Sequence, residues 1–234
     1  MQASLQEEAA SRANFGISFL HSLLNLATGI LGVYILFGQV QTVHGWDLPA
    51  TLALLGVYLV VGALRNLFIG PSLDSLAGMD GEIWSGTFDF TVIRPVNTQF
   101  LASVRKWRWF SLFDLLLGVG VLVIAVLQLH LTLTAGQIVA FLLALFAGIM
   151  LLYAILLAFA ALVFWSPAVL FTWIFNGLFQ MARYPVDLYP GWLRLVLTWI
   201  IPVGMITTVP VQILTGMLAP EWLLAGLGLA LLLN

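Results

Sequence analysis

The chain contains no cysteine, which excludes disulfides, thiolate chemistry and cysteine-based metal sites. Its single lysine, Lys106, follows no G-x-x-x-x-G-K-[ST] stretch, so the chain has no glycine-rich loop with which to hold the phosphates of ATP. The three histidines, His21, His44 and His130, are far apart and none belongs to an H-E-x-x-H pattern, which leaves metal catalysis little support. A Ser/His/Asp arrangement would need an acid at the depth of His21, and none is there. Charge is scarce as well, at 8% of residues against roughly 25% in an ordinary soluble domain. The formal net charge of -2 gives a nucleic acid no reason to bind.

What is present is apolar, 62% of the chain. The class that follows is an all-α, polytopic membrane protein. At about 20 residues per spanning helix, the length allows about six spans and little separate soluble structure, so residues 1–234 are read as one transmembrane domain. The opening "MQASLQEEAASRANF" puts Glu7 and Glu8 before Arg12 and lacks a small-residue cleavage site. The first apolar run is therefore a retained helix and not a signal peptide.

Apolar runs at 15–37, 50–69 and 110–129 give helices one to three. The block 138–181 is twice a span long and divides near Trp165 to Pro167, because proline lacks the N–H and biases Ser166 away from helix. From 183 to 216, Pro185, Pro190, Pro202 and Pro210 interrupt an apolar segment that also carries Arg183, Asp187 and Arg194. Irregular backbone at membrane depth is tolerated where protein or a water-filled cavity surrounds it, so a re-entrant or interfacial helical pair is expected. Tyr184, Tyr189, Trp192 and Trp199 fit headgroup level. A sixth helix is expected to begin near Trp222 and to be cut short.

Lys and Arg set the orientation. Arg94, Arg105, Lys106 and Arg108 fall between helices two and three, whereas "GQVQTVHGWDLP" and "HLTLTAGQ" hold no Lys or Arg. The N-terminus and the 71–109 interval are thus expected in the cytoplasm and the 183–216 segment outside. Within the interval, "GEIWSGTFDFTVIRPVN" mixes apolar side chains with Glu82, Asp89 and Arg94, just after Asp80. Exposed apolar and charged groups on a short structured element suit a docking surface; a solvated loop braced by an Asp89–Arg94 pair stands equally beside that reading.

These residues carry a resemblance. "GTFDFTVIRPVNTQF" resembles the G-x-L-D-x-x-L-x-R-P-x-N-x-x-F segment of ABC-2 type transporter permeases, in the six-helix subfamily once known only as a domain of unknown function. "RYPVDLYPGWLRLVLTWIIP" is similar to that subfamily's R-Y-P-x-x-I-Y-P-x-W-L-R-x-x-L-T-F-x-I-P segment, and "RANF" and "HGW" are weaker matches. Phe88, Phe90 and Trp199 depart from the pattern. The resemblance implies an exporter subunit that works with a second permease chain, alike or related, and with a separate cytoplasmic ATPase dimer, which binds the ATP and Mg. It implies no cofactor in this chain, and a place in the plasma (inner) membrane of a bacterium. It carries the ATPase-coupling role onto Gly86, Asp89, Arg94 and Pro95, beside which Asp80 and Glu82 are added for their charge and placement. It carries the outer re-entrant segment onto Arg183, Tyr184, Pro185, Tyr189, Pro190 and Pro202.

Other signals are open. Asp114, just inside helix three, is either a functional intramembrane acid or an interfacial partner of Arg105 and Arg108. His21 is read as a hydrogen-bonded packing residue. Gly29, Gly32, Gly118, Gly120 and Gly148 offer small surfaces that suit a dimer seam or ordinary close packing. The alternative functions are a secondary transporter, which asks for intramembrane ionisable groups, and a small intramembrane enzyme, which asks for polar residues clustered at one depth.

Overall fold

The computed structural model describes residues 12–78, 80–129, 133–166 and 171–218. Helix α1 (Arg12–Leu36) leads through a hairpin, β1 (Thr42–Val43) and β2 (Trp46–Asp47), into α2 (Leu48–Leu64). His44 and Gly45 take positive φ of 49° and 84°, the primed turn whose twist suits a two-residue hairpin. Asp47 then caps α2, accepting from the Ala50 N–H at 2.8 Å, with Pro49 in the first turn where no N–H is needed.

Helix two does not end at Ile69, where the apolar run stops. A π turn over Arg65–Ile69, in which Gly70 N–H reaches the Arg65 carbonyl, carries it into α3 (Gly70–Asp74). The π turn restarts the ladder, so Pro71 falls in a first turn and its missing N–H breaks nothing. The whole rod, Leu48–Asp74, has 27 residues and is about 40 Å long at 1.5 Å per residue.

Short helices α4 (Asp89–Val92) and α5 (Thr98–Val104) precede α6 (Ser111–Gln128). Next comes α7 (Ala135–Leu162), whose start is a capping box: Thr134 Oγ1 accepts from Gln137 N–H at 3.3 Å and Gln137 Oε1 from Thr134 N–H at 3.0 Å. The chain turns at Val163–Trp165; Pro167 lies outside the described residues. Then follow α8 (Phe171–Met181), α9 (Gly191–Leu195), a π turn over Val196–Ile200 and α10 (Val203–Leu214), which continues through Pro210.

Four helices among the described residues are long and apolar enough to cross a membrane: Gly16–Leu36, Leu48–Asp74, Ser111–Gln128 and Ala135–Leu162. Gly191–Ile200 and Val203–Leu214 pass the same test only together, and they meet at 95° across Pro202. The 11 described residues of α8 reach about 16 Å, short of the roughly 30 Å hydrocarbon core. The expected sixth helix, from Trp222, lies outside the described residues.

Helix α2 is the centre of the bundle, buried on every side from Ala50 to Val61, as its uniformly apolar sequence requires. Between helices in lipid the gain comes from close packing and not from leaving water. Gly56 and Gly118 supply it where α2 meets α6: a Cβ on Gly56 would stand 2.7 Å from Leu122 N, and one on Gly118 2.8 Å from Val60 N. Gly148 does the same for α7 against Ile206 of α10. These seams lie within one chain, while Gly120 meets nothing within 4 Å.

Candidate coupling surface and intramembrane cavity

The bundle has two distinct ends. At one, Trp46 Nε1 donates to Asp187 Oδ2 at 3.0 Å, so the hairpin and the proline-rich segment meet there. At the other, beyond Asp74, Phe88 packs edge-on against Phe164 at 5.4 Å.

The segment at the Asp74 end is a braced platform. Glu82 is its anchor: its carboxylate pairs with Arg105, lies 3.4 Å from Lys106 Nζ and accepts from Ser75 Oγ at 3.2 Å. Arg105 also donates to Thr91 Oγ1 at 3.1 Å, which ties in α4. Gly86, at φ +73°, makes the turn into α4. Asn97 caps α5 through Phe100 N–H at 3.0 Å, and Ser103 and Gln99 bond the Tyr153 hydroxyl of α7.

The expected site residues therefore split. Glu82 is mostly buried and holds the platform together, whereas Asp80, Gly86, Asp89, Arg94 and Pro95 are exposed. Asp89 and Arg94 form no ion pair with each other among the described residues. Around them stand Phe90, Val92, Ile93 and Val96, with Phe90 66% and Ile93 77% exposed. The outcome is a braced apolar rim on which Asp89 and Arg94 stand exposed.

The proline-rich segment at the Trp46 end is tied inward. Asp187 collects Trp46, Gln212 Nε2 at 2.8 Å and Arg194 at 2.7 Å. Pro185 and Pro202 are buried and Pro190 is exposed. Val186 N–H donates to Thr208 Oγ1 at 3.3 Å, and Tyr184 packs against Gly32. The Tyr189 hydroxyl donates to Met181 C=O at 2.9 Å. Burial, with Tyr184 adding to it, pushes the Tyr189 phenol above its ordinary range, so it stays a donor.

Arg183 departs from its neighbours. Its guanidinium turns into the bundle, donating to Asn25 Oδ1 on α1 and lying 5.4 Å over the Tyr58 ring on α2. Tyr58 is about 15 Å along α2 from Leu48, near the middle of the rod. There Arg183 borders a cavity of about 380 Å³ between α1, α2, α6 and α8, shared with His21, Arg65, Arg108 and Asp114. Arg65 is buried, 7% exposed, with Phe175 5.8 Å from its guanidinium carbon. Arg105 is committed to Glu82, and Asp114 lines the cavity with Arg108 without an ion pair between them among the described residues. His21 is exposed at the cavity wall, not packed as expected. Arg65, Asn25 and Tyr58 were not among the expected site residues; the signal available was a charge inside an apolar run.

Four apolar rods long enough to cross a membrane, with a braced polar platform at one end of the bundle and a proline-bent helical pair at the other, define a multi-pass membrane protein. The family model of the ABC-2 family transporter proteins matches residues 23–234, and the chain belongs to that family: it is an ABC-2 type permease. No curated protein and no solved structure matches it significantly.

Proposed function

We propose that this chain is the transmembrane subunit of an ATP-driven exporter that moves an amphipathic or lipid-like substrate, with the energy supplied by a separate cytoplasmic ATPase dimer and with a second permease chain completing the pathway. The observation that supports it is the rim at Phe90, Ile93 and Arg94: exposed, mixed apolar and charged, and braced through Glu82 to Ser75 at the end of α3, which continues the α2 rod, and through Gln99 and Ser103 to Tyr153 of α7. A push on a loose loop dissipates; a push on this platform moves helices. In this reading Asp89, Arg94 and Pro95 meet the ATPase, Gly86 shapes the turn and Glu82 transmits the force. The platform is the cytoplasmic end, in keeping with its Lys and Arg, and the bent pair across Pro202 is a re-entrant cap outside.

The test is co-purification with the partner ATPase and transport-linked ATP hydrolysis. Arg94→Ala and Ile93→Asp are expected to lower both about tenfold or more, because a few anchor residues dominate an interface, while insertion and folding stay intact, since an exposed charge contributes about 0 to 1 kcal/mol. Unchanged association would refute the coupling role. The cavity's ionisable groups favour the secondary-transporter alternative, which predicts transport driven by an ion gradient with no ATPase present.

A further inference from the structure

The cavity between α1, α2, α6 and α8 is unused by the coupling reading. Its volume of about 380 Å³ lies within the roughly 300–1,000 Å³ of small-ligand sites. Its wall holds three arginines, Arg65, Arg108 and Arg183, against two carboxylates, Asp74 and Asp114. A cation at the depth of a span is costly unless it is paired. Arg183 is held there by neutral groups, the Asn25 amide and the Tyr58 ring; its Nε has no acceptor, and among the described residues no carboxylate pairs with it. Arg65 approaches Asp74 only at 3.9 Å, and its Nε and Nη2 lack acceptors although both are buried.

Two guanidiniums short of acceptors, Arg65 buried and Arg183 half-buried, beside a cavity with more cations than anions, match an oxyanion, whose planar or tetrahedral oxygens suit arginine's fork of donors. The cavity also adjoins an apolar surface, for Leu20 and Leu24 flank His21 on the exposed side of α1. We propose that this cavity binds the anionic headgroup of an amphiphile, a phosphate or carboxylate held by Arg65 and Arg183, with its chains along α1. The proposal names the substrate class of the exporter suggested above and rests on that reading only for the fate of the ligand.

The test uses the full chain in detergent without any ATPase. Native mass spectrometry compares retention of phosphatidylglycerol with that of phosphatidylcholine of the same acyl chains; a separate arm measures protection against thermal unfolding by inorganic phosphate. Phosphatidylglycerol should be retained about tenfold better, a difference of about 1.4 kcal/mol. Arg183→Gln should erase the preference, and Arg194→Gln, outside the cavity, should keep it. Should Arg183→Gln fail to fold, Arg108→Gln, which removes the third cation of the cavity wall, should weaken the preference, and an undiminished preference would overturn the site. Protection by phosphate with no lipid preference would overturn the amphiphile and identify a free anion; equal retention of the two lipids with no effect of phosphate would overturn the site. Binding that persists while ATPase coupling fails would sink the exporter reading and leave this one standing.

Discussion

Gly118 and Gly120 lie two residues apart on α6 in opposite surroundings, and this permits a controlled test of what holds the bundle together. A Cβ on Gly118 would stand 2.8 Å from Val60 N and 2.9 Å from Leu59 Cβ, whereas one on Gly120 meets nothing within 4 Å. Ordinary contact begins near 3.4 Å, so Gly118→Ala forces α2 and α6 apart by about 0.6 Å, and overpacking of this kind costs about 1–3 kcal/mol. Both substitutions also gain roughly 1 kcal/mol of helix propensity. Gly118→Ala should therefore be destabilising by up to about 2 kcal/mol and Gly120→Ala stabilising by up to about 1 kcal/mol. The assay is unfolding by titrated SDS, followed by circular dichroism. Gly56→Ala, on the same seam, should cost less in the Gly118→Ala background than alone, because the helices have already parted. Equal effects of Gly118→Ala and Gly120→Ala would refute backbone contact as the cause.

Two further outcomes follow from the ends of the bundle. Because the chain has no cysteine of its own, Val96→Cys should resist an impermeant thiol reagent in intact cells and react after the membrane is opened, while Thr42→Cys should react at once; labelling of Val96→Cys in intact cells would invert the orientation. Asp187→Asn should lower stability by about 1.5–3 kcal/mol, since a carboxylate that accepts from Trp46, Gln212 and Arg194 loses a charge-assisted set of bonds; an unchanged SDS midpoint would show that this node holds nothing.

What was legible in the sequence was whatever depends on runs and on proline. Apolar stretches located α1, α2, α6 and α7, and Pro202 marked the place where the chain bends by 95°. The end of α2 was not legible, because a π turn over Arg65–Ile69 leaves no periodic trace and only tertiary contacts decide that Pro71 can be accommodated. Side-chain partners across long separations were hidden too. Glu82 looked like a docking acid beside Asp80, yet its cations come from 23 and 24 residues later. Arg183 looked like part of a proline-rich cap, yet its acceptor, Asn25, is 158 residues away.

Arg183 also shows why local reading misplaces charge in a membrane protein. In water a charged side chain follows its backbone to the surface, and its neighbours in sequence indicate its surroundings. In a bundle a long side chain extends several ångströms from its backbone, and the apolar medium makes any polar partner within that reach decisive. Arg183 leaves the segment that carries Pro185 and Asp187 and settles on Asn25 and Tyr58. Arg65, nearly five turns after Leu48 at about 3.6 residues per turn, is buried in the wall of the same cavity. Each could have been replaced by an apolar residue if packing were its only task, for filling that space without a charge avoids the desolvation cost altogether. Their joint placement beside an open volume is thus an argument about a ligand, and the lipid-retention measurement on Arg183→Gln is the observation that decides it.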